Sequence, residues 1–180
     1  AAVYASFGHQ VIGLDVDQRK IESLKQSIVP FFEPNLTELL AEQQKAGRLS
    51  FTTDYQQAIQ EADIVIIAVG TPSAPDGQAD LKYVFMSAES LAPFLKSDSI
   101  VVIKSTVPPG TLAKVKSVID PIAQQPYHLA SVPEFLREGS AVHDTLHPNR
   151  VVIGASSDYV FEKLELLHKP LQAPVVRVKP

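Results

Sequence analysis

The feature that most limits what this chain can fold into is the run at residues 64–69, Ile-Val-Ile-Ile-Ala-Val, with Asp63 before it and Gly70 after it. The run has the length of a strand and is too short for an ordinary helix. No polar residue interrupts it, so it lacks the alternation of a sheet with one wet face. A strand covered on both faces belongs to a mainly parallel sheet with helices packed against each side.

The rest of the chain repeats that theme. Further strands are predicted at residues 10–15, 49–53, 100–104, 128–132, 150–154 and 175–178. Between them lie helical patterns. Asp17 suits an N-cap for a helix carrying Ile21, Leu24 and Ile28 on one face. Residues 34–45 place Leu36, Leu39 and Leu40 together, with Gly47 beyond the end. Asp54 caps a short helix through residue 62, and residues 80–96 form a helix kinked near Pro93. Residues 111–122 and 158–168 complete the set. Residues 1–8 read as the last turns of a helix closed by Gly8. Residues 133–149 read as loop with one helical turn. Strands alternating with helices predict an α/β fold, Rossmann-like and doubly wound, with helices on both faces.

With 180 residues, 45% of them hydrophobic and 20% charged, the chain suits one domain with a substantial core. A net charge of -4 and the lack of a basic cluster argue against nucleic acid as a partner. There is no cysteine, which excludes disulfides and a thiol nucleophile within these residues. No apolar run reaches the roughly 20 residues of a membrane span. The expected setting is cytoplasmic, with no membrane partner. His143 and His147 are four apart, but Pro148 follows and no acid completes a zinc-protease pattern, so no metal site is expected.

In an open parallel sheet, ligands sit at the carboxyl ends of the strands. The residues that follow each strand are therefore the candidates. Asp15 follows the first. A carboxylate there accepts hydrogen bonds from adenosine ribose hydroxyls and repels a 2′-phosphate, or it is a solvated cap. Gly70, Thr71 and Pro72 follow the second, as a ligand-approaching loop or a plain turn. Ser105 and Thr106 follow the strand at 100–104, offering two hydroxyls to a cofactor ring and a water, or capping a turn. After residue 132 come Pro-Glu-Phe-Leu-Arg-Glu-Gly. Glu134 there is placed to act as a general base, or to form an ion pair in a surface loop.

Read in order, these pieces become specific. G-H-x-V-x-G-x-D-x-D at residues 8–17, F-E-P-N-L at 32–36, A-G-R-L-x-F-T-T-D at 46–54 and E-A-D-I-V-I-I-A-V-G-T-P at 61–72 are joined by A-D-L-K-Y-V at 79–84. K-S-T-V-P-P-G-T at 104–111, P-E-F-L-R-E-G-S-A-V at 133–142 and H-P-N-R-V-V-I-G at 147–154 follow. Together they resemble the UDP-glucose/GDP-mannose dehydrogenase family over nearly the whole chain. Gly139 and Ser140 look more like its UDP-glucose branch.

The resemblance implies NAD as cofactor and a two-step oxidation of UDP-glucose at C6 to UDP-glucuronate, this chain supplying the cofactor-binding part. It implies that Asp15 binds the adenosine ribose with Lys20 near the same end, and that Val69, Gly70, Thr71, Pro72 and Ser73 line the dinucleotide. Ser105 and Thr106 would touch the nicotinamide side, Thr106 also helping to hold a catalytic water. Glu134 would be the acid/base residue, Phe135, Leu136 and Arg137 would contact the UDP-sugar together with Glu134, and Glu138 would contact the cofactor.

The family pattern also implies that about 15 residues precede this chain, with a first strand and the G-x-G-x-x-G turn that binds pyrophosphate. It implies a C-terminal substrate domain carrying a catalytic cysteine, and a homodimer for the full-length protein. Residues 1–170 are then a partial NAD-binding domain, and 171–180 a last strand or the start of a linker. Unpaired backbone groups beside the strands ending at Asp15 and Val69, at roughly 1–3 kcal/mol each, lead to the expectation that the segment is unstable alone. Val132 stands where the family usually has Asn, Phe32 where Tyr is common, and Asn35 where Gly is common. GDP-mannose or another nucleotide sugar is the alternative substrate. A non-catalytic nucleotide-binding module is the alternative from another class.

Overall fold

The computed structural model describes residues 1–75, 77–137 and 139–179. The chain divides into two compact units. The first comprises Ala1–Ala58, Phe135–Asn149 and Lys169–Ala173, and the second Ile59–Glu134, Arg150–His168 and Pro174–Pro180.

In the first unit, helix α1 (Ala2–Ser6) leads to strand β1 (Val11–Leu14), helices α2 (Gln18–Lys25) and α3 (Leu36–Lys45), and strand β2 (Leu49–Thr52). Helix α4 (Tyr55–Ile59) follows, and the short α7 (Ala141–Leu146) also belongs here. Strands β1 and β2 pair in parallel, Val11 opposite Leu49 through Leu14 opposite Thr52. Ala2, Ala5, Ile21, Leu40, Leu49 and Phe51 form the core, flanked by Leu24, Leu36 and Leu39. Gly8 ends α1 as expected: its φ of 95° is open to glycine, and its N–H reaches the Ala5 carbonyl at 3.0 Å. Ile28 departs from expectation. Helix α2 stops at Lys25, Ser27 turns left-handed at φ 60°, and Ile28 lies 55% exposed outside the helix. Three apolar residues at helical spacing do not hold a helix together once a side chain two positions past its end has taken the left-handed region.

The second unit holds a five-stranded sheet in the order β3 (Ile64–Ile67), β4 (Ser99–Ile103), β5 (Tyr127–Ser131), β6 (Val151–Ala155), β7 (Val175–Val178). All neighbours are parallel except β5 and β6. Helices α5 (Lys82–Leu91), α6 (Thr111–Ile119) and α8 (Asp158–His168) connect them. Every residue of β4 is buried, and successive side chains point to opposite faces, so both faces of the sheet are covered at its second strand. Pro93 sits in a 3-10 turn (Ala92–Phe94) that continues α5, where the kink was expected. The strand within the run at 64–69 is shorter than predicted, and one of its sides is less buried. Strand β3 ends at Ile67; Val65 and Ile67 are buried while Ile64 and Ile66 are half-buried. It is an outer strand of its sheet, with β4 on one side; Val65 and Ile67 share its buried face and Ile64 and Ile66 its half-buried one.

The fold is Rossmann-like α/β, with a mainly parallel sheet. No helix among the described residues is long and apolar enough to cross a membrane.

Candidate functional site

In the first unit, Asp15 prolongs β1, its N–H donating to the Thr52 carbonyl at 3.3 Å. Asp17 caps α2 by accepting from the N–H groups of Arg19 and Lys20 at 2.9 and 3.3 Å. That cap starts α2 so that Lys20, in its first turn, reaches back to Asp15 and donates to Oδ2 at 2.5 Å. The Asp17 N–H donates to Oδ1 at 3.0 Å. Burial opposes ionisation of Asp15, but the Lys20 hydrogen bond, the Asp17 amide and the Lys20 charge outweigh it, and its pKa falls below the ordinary 3.8. The result is a fixed carboxylate, with further lone pairs for hydroxyl donors.

In the second unit, the parallel strands β3, β4 and β5 release three segments at one edge of the sheet. The ladder carries on past the named strands: Lys104 N–H donates to the Ile67 carbonyl and Val132 N–H to the Ile103 carbonyl, both at 2.9 Å. The Ser105 hydroxyl donates to the Val69 carbonyl at 2.6 Å, and the Thr71 hydroxyl to the Thr106 carbonyl at 3.2 Å. Two cross-links thus tie the loop after β3 to the loop after β4. Both hydroxyl protons are spent inside the protein, which leaves the two oxygens as acceptors for a ligand's donors. Pro72 is held by the Asp80 N–H at 2.8 Å, and Ser73 bridges to Ala79. Thr106 is exposed. Glu134 emerges after β5, and the Lys104 ammonium lies 3.5 Å from its Oε2.

Val69, Thr71, Ser105, Thr106 and Glu134, each singled out from sequence, are therefore brought together in one unit, with Gly70, Pro72 and Ser73 in the same loop. Lys104 was overlooked as a participant. Its signal was available, since a lysine at the end of a buried strand must find a counter-charge, but nothing local to K-S-T-V-P says which. Val132 is 3% exposed and bonded to β4 through its backbone, so an apolar side chain suits this position.

The segment beginning at Pro133 crosses into the first unit after Glu134. Phe135 and Leu136 are 66% and 38% exposed. Arg137 is clamped by Asp144, its Nε donating to Oδ2 at 3.0 Å and Nη2 to Oδ1 at 2.8 Å. The guanidinium holds the Asp144 carboxyl far below the usual range. Glu138 lies outside the described residues. Glu33, from F-E-P-N-L, is buried, and accepts from the Val142 N–H of α7 at 3.2 Å, a structural tether. The rings of His143 and His147 lie 4.9 Å apart. Among the described residues, no group of three or more potential metal ligands converges.

Acceptors and fixed loops at the carboxyl ends of parallel strands define a dinucleotide-binding domain of the Rossmann class. Sequence comparison takes this further. The chain belongs to the UDP-glucose/GDP-mannose dehydrogenase family, whose NAD binding domain matches residues 1–172. It is 42% identical over 173 residues to UDP-glucose 6-dehydrogenase YwqF of Bacillus subtilis, covering 95% of this chain and 39% of that protein. It is 43% identical over 182 residues to UDP-glucose 6-dehydrogenase of Rhizobium meliloti, covering 96% of this chain and 41% of that protein. Among solved structures, a UDP-glucose dehydrogenase from the archaeon Pyrobaculum islandicum superposes with a TM-score of 0.96 at 40% identity, over 99% of this chain and 43% of that one. A GDP-mannose dehydrogenase from Pseudomonas aeruginosa gives 0.95 at 34% identity, over the same shares. The chain thus spans about two-fifths of the relatives it matches. NAD is the cofactor of this domain family.

Proposed function

We propose that this chain is the cofactor-binding part of a longer enzyme that oxidises UDP-glucose at C6 to UDP-glucuronate in two NAD-dependent steps. The observation that carries the reading is the cross-linked cluster at the ends of β3, β4 and β5, in a chain whose family is defined by NAD binding. The relatives named UDP-glucose 6-dehydrogenase favour that sugar.

NAD, when bound, supplies the hydride acceptor. The chain's own residues bind, orient and move protons. Asp15 accepts from the adenosine ribose hydroxyls, with Lys20 holding its carboxylate in place. The loop from Val69 to Ser73 lines the dinucleotide, and Ser105 and Thr106 meet its nicotinamide side. Glu138 is assigned to the cofactor by the family pattern. Thr106, exposed at the strand end, holds a water. Glu134 takes the proton as the C6 alcohol is oxidised, or activates the water that releases the acid. Phe135, Leu136 and Arg137 present apolar and cationic surface to the nucleotide sugar, Arg137 with the donors that Asp144 leaves free. Residues 1–170 form the NAD-binding part, and 171–180 its last strand or the start of a linker. The full-length protein is cytoplasmic and a homodimer.

The test is NADH formation by the full-length protein with UDP-glucose and, separately, GDP-mannose. UDP-glucose should be the better substrate, and Glu134→Gln should lower kcat by about 10²–10⁴. Turnover of GDP-mannose alone would move the assignment to the sister activity. No turnover of either sugar, with NAD still bound, would favour a nucleotide-binding module.

A further inference from the structure

Lys104 forms an ion pair with Glu134, and its placement is built rather than incidental. Its backbone is pinned by the bond to Ile67, one residue past the end of β4. Its side chain is 17% exposed, against 38% for the glutamate, so the lysine side chain as a whole lies mostly out of water. A lysine so withdrawn needs a partner, and Glu134 Oε2 at 3.5 Å supplies it. The Lys104 charge is also felt by His168, at the end of α8 and 6% exposed. Its Nδ1–H donates to the Leu164 carbonyl at 2.7 Å, and burial, with the nearby Lys104 charge, holds the imidazole below its ordinary pKa. It therefore adds no second positive charge to turn the ammonium away from the carboxylate.

We propose that Lys104 is a positioning residue: from the end of β4 it fixes the Glu134 carboxylate, across the strand junction with β5, in the orientation from which that carboxylate handles protons. Three features support this over an ordinary surface pair. The two residues leave adjacent strands in a fixed register, Ile103 opposite Ser131, so backbone geometry sets their separation. The lysine is the more buried partner. The separation of 3.5 Å is a charge contact longer than a tight hydrogen bond, which orients the carboxylate while leaving its lone pairs free for a substrate or water. The inference rests on the dehydrogenase reading above.

The experiment compares Lys104→Met and Lys104→Arg with wild type in the full-length enzyme, using UDP-glucose and NAD. Methionine keeps the apolar stem and removes the charge; arginine restores a charge. The expected result is a kcat at least tenfold lower for Lys104→Met, with KM for NAD and for the sugar within about twofold. Lys104→Arg should recover most of the lost kcat. Thermal melting of each variant separates folding from chemistry: a folded Lys104→Met enzyme with low kcat supports the role. A folded Lys104→Met enzyme with kcat within about twofold of wild type overturns it. So does a rise in KM at unchanged kcat, which would make Lys104 a binding group. If Lys104→Met does not fold, Lys104→Arg decides: wild-type kcat and KM support the role, and a folded Arg variant with kcat still tenfold down overturns it. An inactive wild type would instead sink the dehydrogenase reading, and this inference with it.

Discussion

Gly13 leaves no room for a side chain, and replacing it tests how β1 delivers Asp15. Gly13 faces Phe51 across the β1–β2 pair. A methyl group there would lie 2.6 Å from Cδ1 and 2.7 Å from Cε1 of the Phe51 ring. Carbon atoms in contact settle at about 3.5–4.0 Å, so the ring must retreat by roughly 1 Å. It is 9% exposed and packed with Ile21, Leu40 and Leu49, so its retreat displaces the core of the first unit. Overpacking of this kind costs about 1–3 kcal/mol. At about 2–4 °C per kcal/mol for a chain of this size, Gly13→Ala should lower Tm by roughly 2–12 °C. Because Asp15 lies two residues along the same strand, KM for NAD should rise with it. The assay is a thermal melt of the full-length protein, paired with NAD kinetics. Phe51→Leu in the same molecule vacates the ring position, so the double variant should be more stable than the two single effects predict. A Tm within about 1 °C of wild type, or strict additivity in the double variant, would refute the steric argument.

Three further outcomes follow from the geometry. Asp15→Asn should weaken NAD and narrow the gap to NADP, because the group that repels a 2′-phosphate is gone; an unchanged NAD/NADP ratio of kcat/KM would contradict the assignment. The same variant has a stability signature. The folded Asp15 pKa is depressed, so its pairing contributes above the unfolded value near 3.8 and is lost as pH falls through the folded one. The wild-type advantage over Asp15→Asn should therefore shrink toward pH 2, and an advantage that persists there would speak against the pairing. His168 is buried and its folded pKa lies below the ordinary 6.5, so protonating the unfolded chain costs stability as pH drops below 6.5. Wild type should lose stability from pH 7 to 5 by a step that His168→Gln lacks; parallel curves for the two proteins would exclude it.

Much of this was legible in the residues. Strands and helices followed from apolar runs and caps: Asp17 caps α2, Asp54 accepts from Gln57 N–H ahead of α4, and the bounds of α8 and β7 match the periodic pattern. What failed were inferences needing tertiary information. Ile28 fits a helical face in sequence, but the left-handed Ser27 removes it from the helix. The 64–69 run reads as buried on both faces, yet burial on a second face depends on neighbours that lie elsewhere in the chain. The site was legible as a list of strand-end residues, because parallel topology forces such residues to one edge. The pairings were not. That Ser105 bonds to Val69, Thr71 to Thr106 and Lys104 to Glu134 depends on register between strands whose paired residues lie 30 to 36 positions apart, which no local pattern encodes.

Strand β3 has a practical consequence for anyone handling this domain by itself. Among the described residues its backbone is bonded along one side only, to β4. Its sequence, Ile-Val-Ile-Ile, is β-branched throughout and carries no charge, proline or glycine to discourage lateral addition. A strand of this composition with one side unbonded in its own sheet is a template for an extended apolar peptide. Concentrated samples of the isolated piece should therefore recruit strands from one another, and a short soluble peptide that seats there should suppress the resulting precipitate.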